Sequence, residues 1–543
     1  MAIIAVIAVG TALAGAGCGN GSAGSAQQGG IFQLGSDSSI DSLNPFVAFQ
    51  ADAYTTFEYI YPSLVQYNPQ LQVVPDFATS WQVTDGGRVW TFHTVPHAKW
   101  SDGKPLTAQD AAWTLSTIIK FQNGPTANSA GYVTDMTSAV ATNPDTLVVT
   151  YSQPVANVLS QMQQIQILPE HIWSQYAAGS GKGLTTFQNN APIVSGGPFM
   201  LTSYTKGQAA IFKRNPDWYG PRPHIQGIAL EFFTDTDAMV TALKSGQLDG
   251  VESVPTTSVA ALKSAGFVVR EAPGDQFDDF IINDNPGQEA SHRELVNPLL
   301  REAFSYAIDR PQLVSTVLLG YGTPGSTIIP PATGSWSDPA IKPVPFDIAK
   351  ANQLLNEAGY KMGSNGIRIA DGHPMSYTVI LPADTTSAYG DRSFEIVQAD
   401  LKQVGVQLVP EDLDNSAAYS AVTNDNYKTF EMSMWDWLPE TDPDFMLSVL
   451  TCGAWNVWND TGYCSKAYDN LFNEQSAAMN PAARQQLVYQ MQQMVSQANA
   501  YLVLDYPDSI EAHSKQWVNL PLVAGSSWTS LSAIPFEDVS LAG

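Results

Sequence analysis

Asp391–Leu413 reads DRSFEIVQADLKQVGVQLVPEDL. Its first fifteen residues carry apolar side chains at helical spacing and stop at Gly405. The next segment, VQLVPEDL, begins with the alternation of a strand. A helix followed at once by a strand is the unit of a mixed α/β fold, in which helices pack on sheets.

Working outward, the same grammar recurs. NPLLREAFSYAID places Leu300, Ala303, Phe304, Ala307 and Ile308 on one helical face, with Asn297 as N-cap and Pro298 in the first turn. FDIAKANQLLNEAGY repeats the pattern: Asp347 caps, Ile348, Ala351, Leu354, Leu355 and Ala358 form the face, and Gly359 closes. DTDAMVTALKSGQLDG is a shorter helix ending at Gly246, and GYKMGSNGIRIADGHPM is a loop or hairpin by its Gly, Asn and Asp content. FDDFIINDNP and YLVLDYPD (501–508) are apolar and strand-like. No short-period repeat or coiled coil is present.

At 543 residues the chain exceeds one ordinary core. It is 44% hydrophobic and 14% charged, the balance of a folded globular protein. Its formal net charge of −26 repels phosphate backbones and anionic lipid, which argues against nucleic-acid binding and favours neutral or cationic small ligands. Acidity is equally a solubility device.

MAIIAVIAVGTALAGAG is apolar, rich in small residues and too short to span a bilayer. It reads as a secretory signal (1–18), with small residues before Cys18 in the manner of a lipoprotein cleavage site, although Leu13 lies five residues before the cysteine and no Lys or Arg precedes the run. Plain secretion is the alternative. Residues 19–30 are a Gly/Ser/Gln tether. Setting Cys18 aside leaves Cys452 and Cys464, a close pair that an exported chain is expected to join; two free cysteines are the alternative.

Several blocks in chain order carry a resemblance. They are Leu43-Asn44-Pro45 with YIYPSLVQYNP, the run from Pro75 to Leu115, SGGPFMLTSYTKGQAAIFKRNPDWYG with Arg214-Asn215-Pro216 inside it, ALKSGQLDG, VNPLLREAFSYAIDRPQLV, DIAKANQLLNEAGY and NDTGYCSKAYDNL. Together they resemble the extracytoplasmic solute-binding proteins of ABC importers, in the oligopeptide-, dipeptide- and nickel-binding family. The resemblance implies a type II periplasmic-binding-protein fold: α/β, two lobes joined by two crossing strands, with a subdomain inserted in the first lobe. Lobe 1 is then expected at 31–50, 190–275 and 505–543, the inserted subdomain at 51–189 and lobe 2 at 276–504. It further implies a monomer without a cofactor, anchored outside the cell membrane by lipid, that closes on a small solute and delivers it to the permease subunits. Peptide is the first expectation, and oligosaccharide, nickel chelate or another small solute the alternatives.

Enzyme readings fare poorly. There is no GxSxG elbow, and GSGKG at 179–183 lacks the leading glycine and the Ser or Thr of a phosphate loop. His93 and His97 have ligand spacing only for a helix, whereas WTFHTVPHAKW contains Pro96 and alternates like a strand. The seven histidines are otherwise scattered, which argues against a dedicated histidine metal site.

Ser433–Phe445 reads SMWDWLPETDPDF. The resemblance places it on the cleft side of lobe 2, where peptide-binding members receive the α-ammonium on an acid. Asp436, Glu440 and Asp442 are candidates, and the first two are favoured because Asp442-Pro443-Asp444 also reads as the cap of a helix over FMLSVL. Trp435 and Trp437 are expected to divide, one facing the cleft and the other the core. Trp455 and Trp458, between the two cysteines, are candidates for stacking on ligand, and Asn283 lies where family members run a strand past it.

Overall fold

A computed structural model describes residues 29–285, 292–382, 388–423, 430–520 and 538–542. The expected signal sequence, Cys18 and all but the last two residues of the tether lie outside the described residues.

The helices begin where the sequence supplies an oxygen for an orphan N–H. Asn297 accepts from the Leu299 N–H, with Pro298 in the first turn of Pro298–Ala307. Asp347 accepts from the Lys350 N–H at the head of Ile348–Glu357. Ala388–Gln403 ends before Gly405, whose φ of +81° lets the chain reverse into a strand at once. GYKMGSNGIRIADGHPM folds as three short antiparallel strands, Lys361–Met362, Arg368–Ala370 and His373–Pro374. Gln407–Leu413 is the strand expected from VQLVPEDL, but only Leu408 on it is buried, because it is the end strand of its sheet. Pro410 is tolerated there for the same reason.

Among the described residues one twelve-stranded sheet runs through the molecule. From that end its order is Gln407–Leu413, Ser376–Pro382, Met432–Trp437, Phe277–Ile282, Tyr501–His513, Gly250–Val251, Ile31–Ser36, Gly227–Phe232, Ala209–Arg214 and Phe199–Thr205; Val268–Pro273 and Gly322–Pro324 pair additionally with Tyr501–His513. The thirteen-residue strand Tyr501–His513 is the spine. Its first part, from Tyr501 to Asp505, pairs antiparallel with Phe277–Ile282, and its last part, from Asp508 to His513, with Val268–Pro273. The chain therefore passes twice, side by side, from one half of the sheet to the other.

The apolar interior divides at the same place. One large core draws on residues from Phe32 to Leu230, with Trp517, Leu520 and Val539, and a satellite joins Met239–Leu262 to Ile510 and Ala512. Two further cores draw on residues between Phe277 and Tyr506. A separate antiparallel sheet, Ala78–Thr84, Val89–Thr94, Thr146–Tyr151 and Met136–Asn143, lies within the first large core, beside the helix Ala108–Phe121 that Thr107 and Asp110 cap reciprocally. Among the described residues no helix is long and apolar enough to cross a membrane.

Candidate functional site

At the crossing, three neighbouring strands each place an aspartate at the same level. In register, Asp278 stands opposite Asp436 on one side and Asp505 on the other. The row grades from exposed Asp436, through partly buried Asp278, to buried Asp505. Asp278 and Asp505 hydrogen-bond to each other, which two carboxyls can do only when one of them holds a proton. Burial first, and then the charge of Asp436, pushes the Asp278 carboxyl up to about 7. Burial and Asp278 raise Asp505 further, against the opposing pull of the Arg310 guanidinium. A cation beside such a row would relieve its self-repulsion.

The adjacent Asp279 is fully buried, and burial together with Asp460, Asp436 and Asp278 holds its carboxyl well above the usual range. Asp460 accepts from Trp437 Nε1 at 2.9 Å and from the Tyr501 hydroxyl, and burial pushes it up to about 6.

The two tryptophans of the strand do not divide as expected. Residues two apart on a strand share a face, so Trp435 and Trp437 both pack against the core that contains Phe277, Tyr501 and Val503. Asp436, between them, is the exposed member. The acid, not a tryptophan, is what MSMWDW presents to solvent.

The acids after the strand tie the two halves together. Glu440 accepts from the Tyr132 hydroxyl at 3.0 Å, and burial pushes its carboxyl up to about 7. Asp442 accepts from Ser160 Oγ at 3.2 Å, and the Ala156 N–H donates to the Ser476 carbonyl at 2.8 Å. Asp442 is nevertheless committed elsewhere. Arg484 grips both its oxygens at 2.6 and 2.7 Å, and its Oδ1 accepts the Asp444 N–H at 3.0 Å, so it is an internal ion pair and a turn former rather than a ligand acid. The helix that follows, Asp444–Val449, starts from Pro443 and has no side-chain cap, so the expected cap by Asp442 is only this turn contact.

Cys452 and Cys464 are joined, closing a loop beside the strand end. Within it Trp455 donates Nε1 to the Tyr463 carbonyl at 3.0 Å and packs against the core. Trp458 is 48% exposed and meets Phe445 edge-on at 5.7 Å. Asn283 is fully buried, donates to the Phe430 carbonyl at 2.8 Å and accepts the Asn285 N–H at 2.9 Å. It serves the backbone at the end of Phe277–Ile282 remote from the crossing, where a buried amide is needed to satisfy the chain as it leaves the sheet.

Sequence reading missed Asp278, Asp505 and Tyr132, which no spacing links to Asp436 or Glu440; only strand register and the meeting of the halves bring them together. Among the described residues one group, His292, Glu294 and His373, has the composition and closeness of a metal site.

Comparison with known proteins agrees with this architecture. A model of the bacterial extracellular solute-binding proteins, family 5, middle region, matches residues 72–457. Protein XP55 of Streptomyces lividans is 28% identical over 497 residues, covering 90% of this chain and 85% of that protein. A Brucella ovis protein named as an ABC transporter peptide-binding protein is 28% identical over 403 residues, covering 72% of this chain and 70% of its own. Among solved structures, the oligopeptide-binding protein AppA of Bacillus subtilis, in complex with a nonapeptide, superimposes with a TM-score of 0.77 at 21% identity, covering 96% of this chain and all of that one.

Proposed function

Since the chain belongs to the bacterial extracellular solute-binding proteins of family 5, we propose that its solute is a peptide, held between two closing lobes by its free amino terminus. Members of this family are the solute-binding components of ABC importers and not enzymes; the ligand is a small solute and the partner a membrane permease. The fold is the type II periplasmic-binding-protein fold.

The observation that carries the peptide reading is the carboxylate row Asp436–Asp278–Asp505 at the crossing. The names of the Brucella and Bacillus relatives point the same way. Asp436, the exposed end of the row, takes the α-ammonium; Glu440 lines the same junction, and Trp458 offers a face for a side chain. The lobes follow the cores: residues 31–50, 190–275 and the C-terminal segment form lobe 1, 51–189 its inserted subdomain, and 276 to about 506 lobe 2. Tyr506 packs with the second-lobe core and Ile510 with the first, which supports placing the second crossing slightly after residue 505. Closure then joins Tyr132 to Glu440 and Ser160 to Asp442, a two-state motion in which ligand must favour the closed form. Lipidation at Cys18 and a monomeric state complete the reading.

Isothermal titration with a short peptide and its N-acetylated twin tests it. A charge-assisted bond of about 1.5–3 kcal/mol predicts a roughly 10- to 100-fold loss on acetylation. Asp436→Asn should lose as much, and acetylation should cost nothing further in that variant. Equal affinity for both peptides, or a sugar found on the purified protein by native mass spectrometry, would overturn the peptide reading.

A further inference from the structure

His292, Glu294 and His373 each offer a donor atom, all within 4.8 Å of one another. His292 Nδ1 lies 3.1 Å from Glu294 Oε1, and His373 Nε2 lies 3.6 Å from Glu294 Oε2. Donor atoms bound tetrahedrally at about 2.1 Å stand about 3.4 Å apart, between these two distances.

The outer nitrogens decide what the inner ones can do. His292 Nε2 is 2.8 Å from Glu431 Oε1, and Glu431 Oε2 is itself fixed by the Thr378 N–H at 2.6 Å. His373 Nδ1 is 3.3 Å from the Pro374 carbonyl, which can only accept. With each outer nitrogen donating, each neutral imidazole turns a lone pair toward Glu294. That carboxylate has a side chain with no exposure, and Tyr377 donates to its Oε1 at 2.8 Å. Glu294 Oε2 and His373 Nε2 are both buried without a hydrogen-bond partner. Three lone pairs converging in a buried place repel one another unless a metal ion or a proton sits between them. Histidines oriented by an outer carboxylate or carbonyl are the usual support of a bound metal.

We propose that His292 Nδ1, Glu294 and His373 Nε2 bind a borderline divalent transition metal of the zinc class, with a water molecule as fourth ligand. Two imidazoles and one carboxylate suit zinc, not calcium or magnesium, which prefer all-oxygen sets. His292 and His373 are 15% and 25% exposed at their side chains, so an ion can enter. The site is not the cleft. Glu431 accepts the Asn283 N–H with its carbonyl, one residue beyond the far end of Phe277–Ile282. Five residues of strand put it about 17 Å from the crossing. The metal would clamp the turn Arg293–Val296 to the hairpin strand His373–Pro374, two elements remote in sequence.

The test uses the whole mature chain, stripped with a chelator and titrated with zinc by calorimetry. The expected result is one equivalent bound, a melting temperature that rises with zinc, and Co²⁺ absorption typical of four-coordination. His373→Ala alters a partly exposed hairpin residue, and Glu294→Gln keeps an acceptor for Tyr377. Each should weaken zinc binding at least 100-fold while melting, in chelator, close to the wild type. Zinc binding equal in wild type and His373→Ala, or none in the wild type, would overturn the proposal and leave a histidinium–carboxylate cluster. Because the readout is the metal alone, failure of the peptide reading would not affect it.

Discussion

Arg484 shows how one residue can settle the role of another. It is buried, holds both oxygens of Asp442 and lies over the Trp336 ring at 4.9 Å. Arg484→Met would leave a buried carboxylate without its partner, and the expected loss is about 3–5 kcal/mol by urea unfolding. Adding Asp442→Leu should restore much of that, since removing both members of a buried pair costs far less than removing one. A mild effect of the single change would mean that Asp442 remains available to ligand. From sequence, Asp436, Glu440 and Asp442 are three candidate acids within seven residues, the first two favoured only because Asp442 also reads as a helix cap. Burial and partners separate them: one exposed at the row's end, one bonded across the halves, one locked to arginine. The error over Trp435 and Trp437 is instructive because period two was already legible in MSMWDW. What sequence could not say was which face of the strand met the core.

At the scale of elements, the crossing is the sensitive place. A Cβ at Gly274 would lie 2.0 Å from the Pro507 carbonyl oxygen, so glycine is what lets the two passes of chain approach. Gly274→Ala should destabilise by about 2–3 kcal/mol and alter closure, read as a lower denaturation midpoint and a weaker ligand-induced change in small-angle scattering. A variant with unchanged stability and closure would show that the crossing strands are free to separate. The Cys452–Cys464 loop is a second element-level case. Reduction should cost about 3 kcal/mol by the loop-closure argument, measured by melting with and without reductant. Helix caps such as Asn297 and Asp347 were readable because a cap is a local event, satisfied within four residues. The strand Gln407–Leu413 was readable as a strand but not as an edge, since edge position depends on what pairs beside it.

Across the whole molecule, buried acids set opposing responses to pH. Burial pushes Glu58 up to about 8, and Asp275, Asp278 and Glu440 to about 7. In the unfolded chain these groups ionise near pH 4, so folding takes up protons between about pH 4 and 8. Their contribution is fully present below the unfolded values and is lost as pH rises through the folded ones. Ligand-free protein should therefore melt at a higher temperature at pH 5.5 than at pH 8, by on the order of 1 kcal/mol per carboxyl. Peptide affinity should move the other way, because the row Asp436–Asp278–Asp505 gains charge as pH rises through about 7. Calorimetry in buffers of different ionisation enthalpy should then show proton release on binding near neutral pH. A flat melting profile would contradict the first expectation, and affinity that falls with rising pH the second. By itself the sequence determined the class of fold, the family, the helix boundaries and the acidic character of the chain, because these rest on local periodicity, caps and blocks of residues met in order. Only the tertiary structure decided which acids stand in one row, which one arginine takes, and that His292 and His373, eighty-one positions apart, meet over Glu294. Strand register and the meeting of distant elements bring those atoms together, and neither leaves a spacing in the chain.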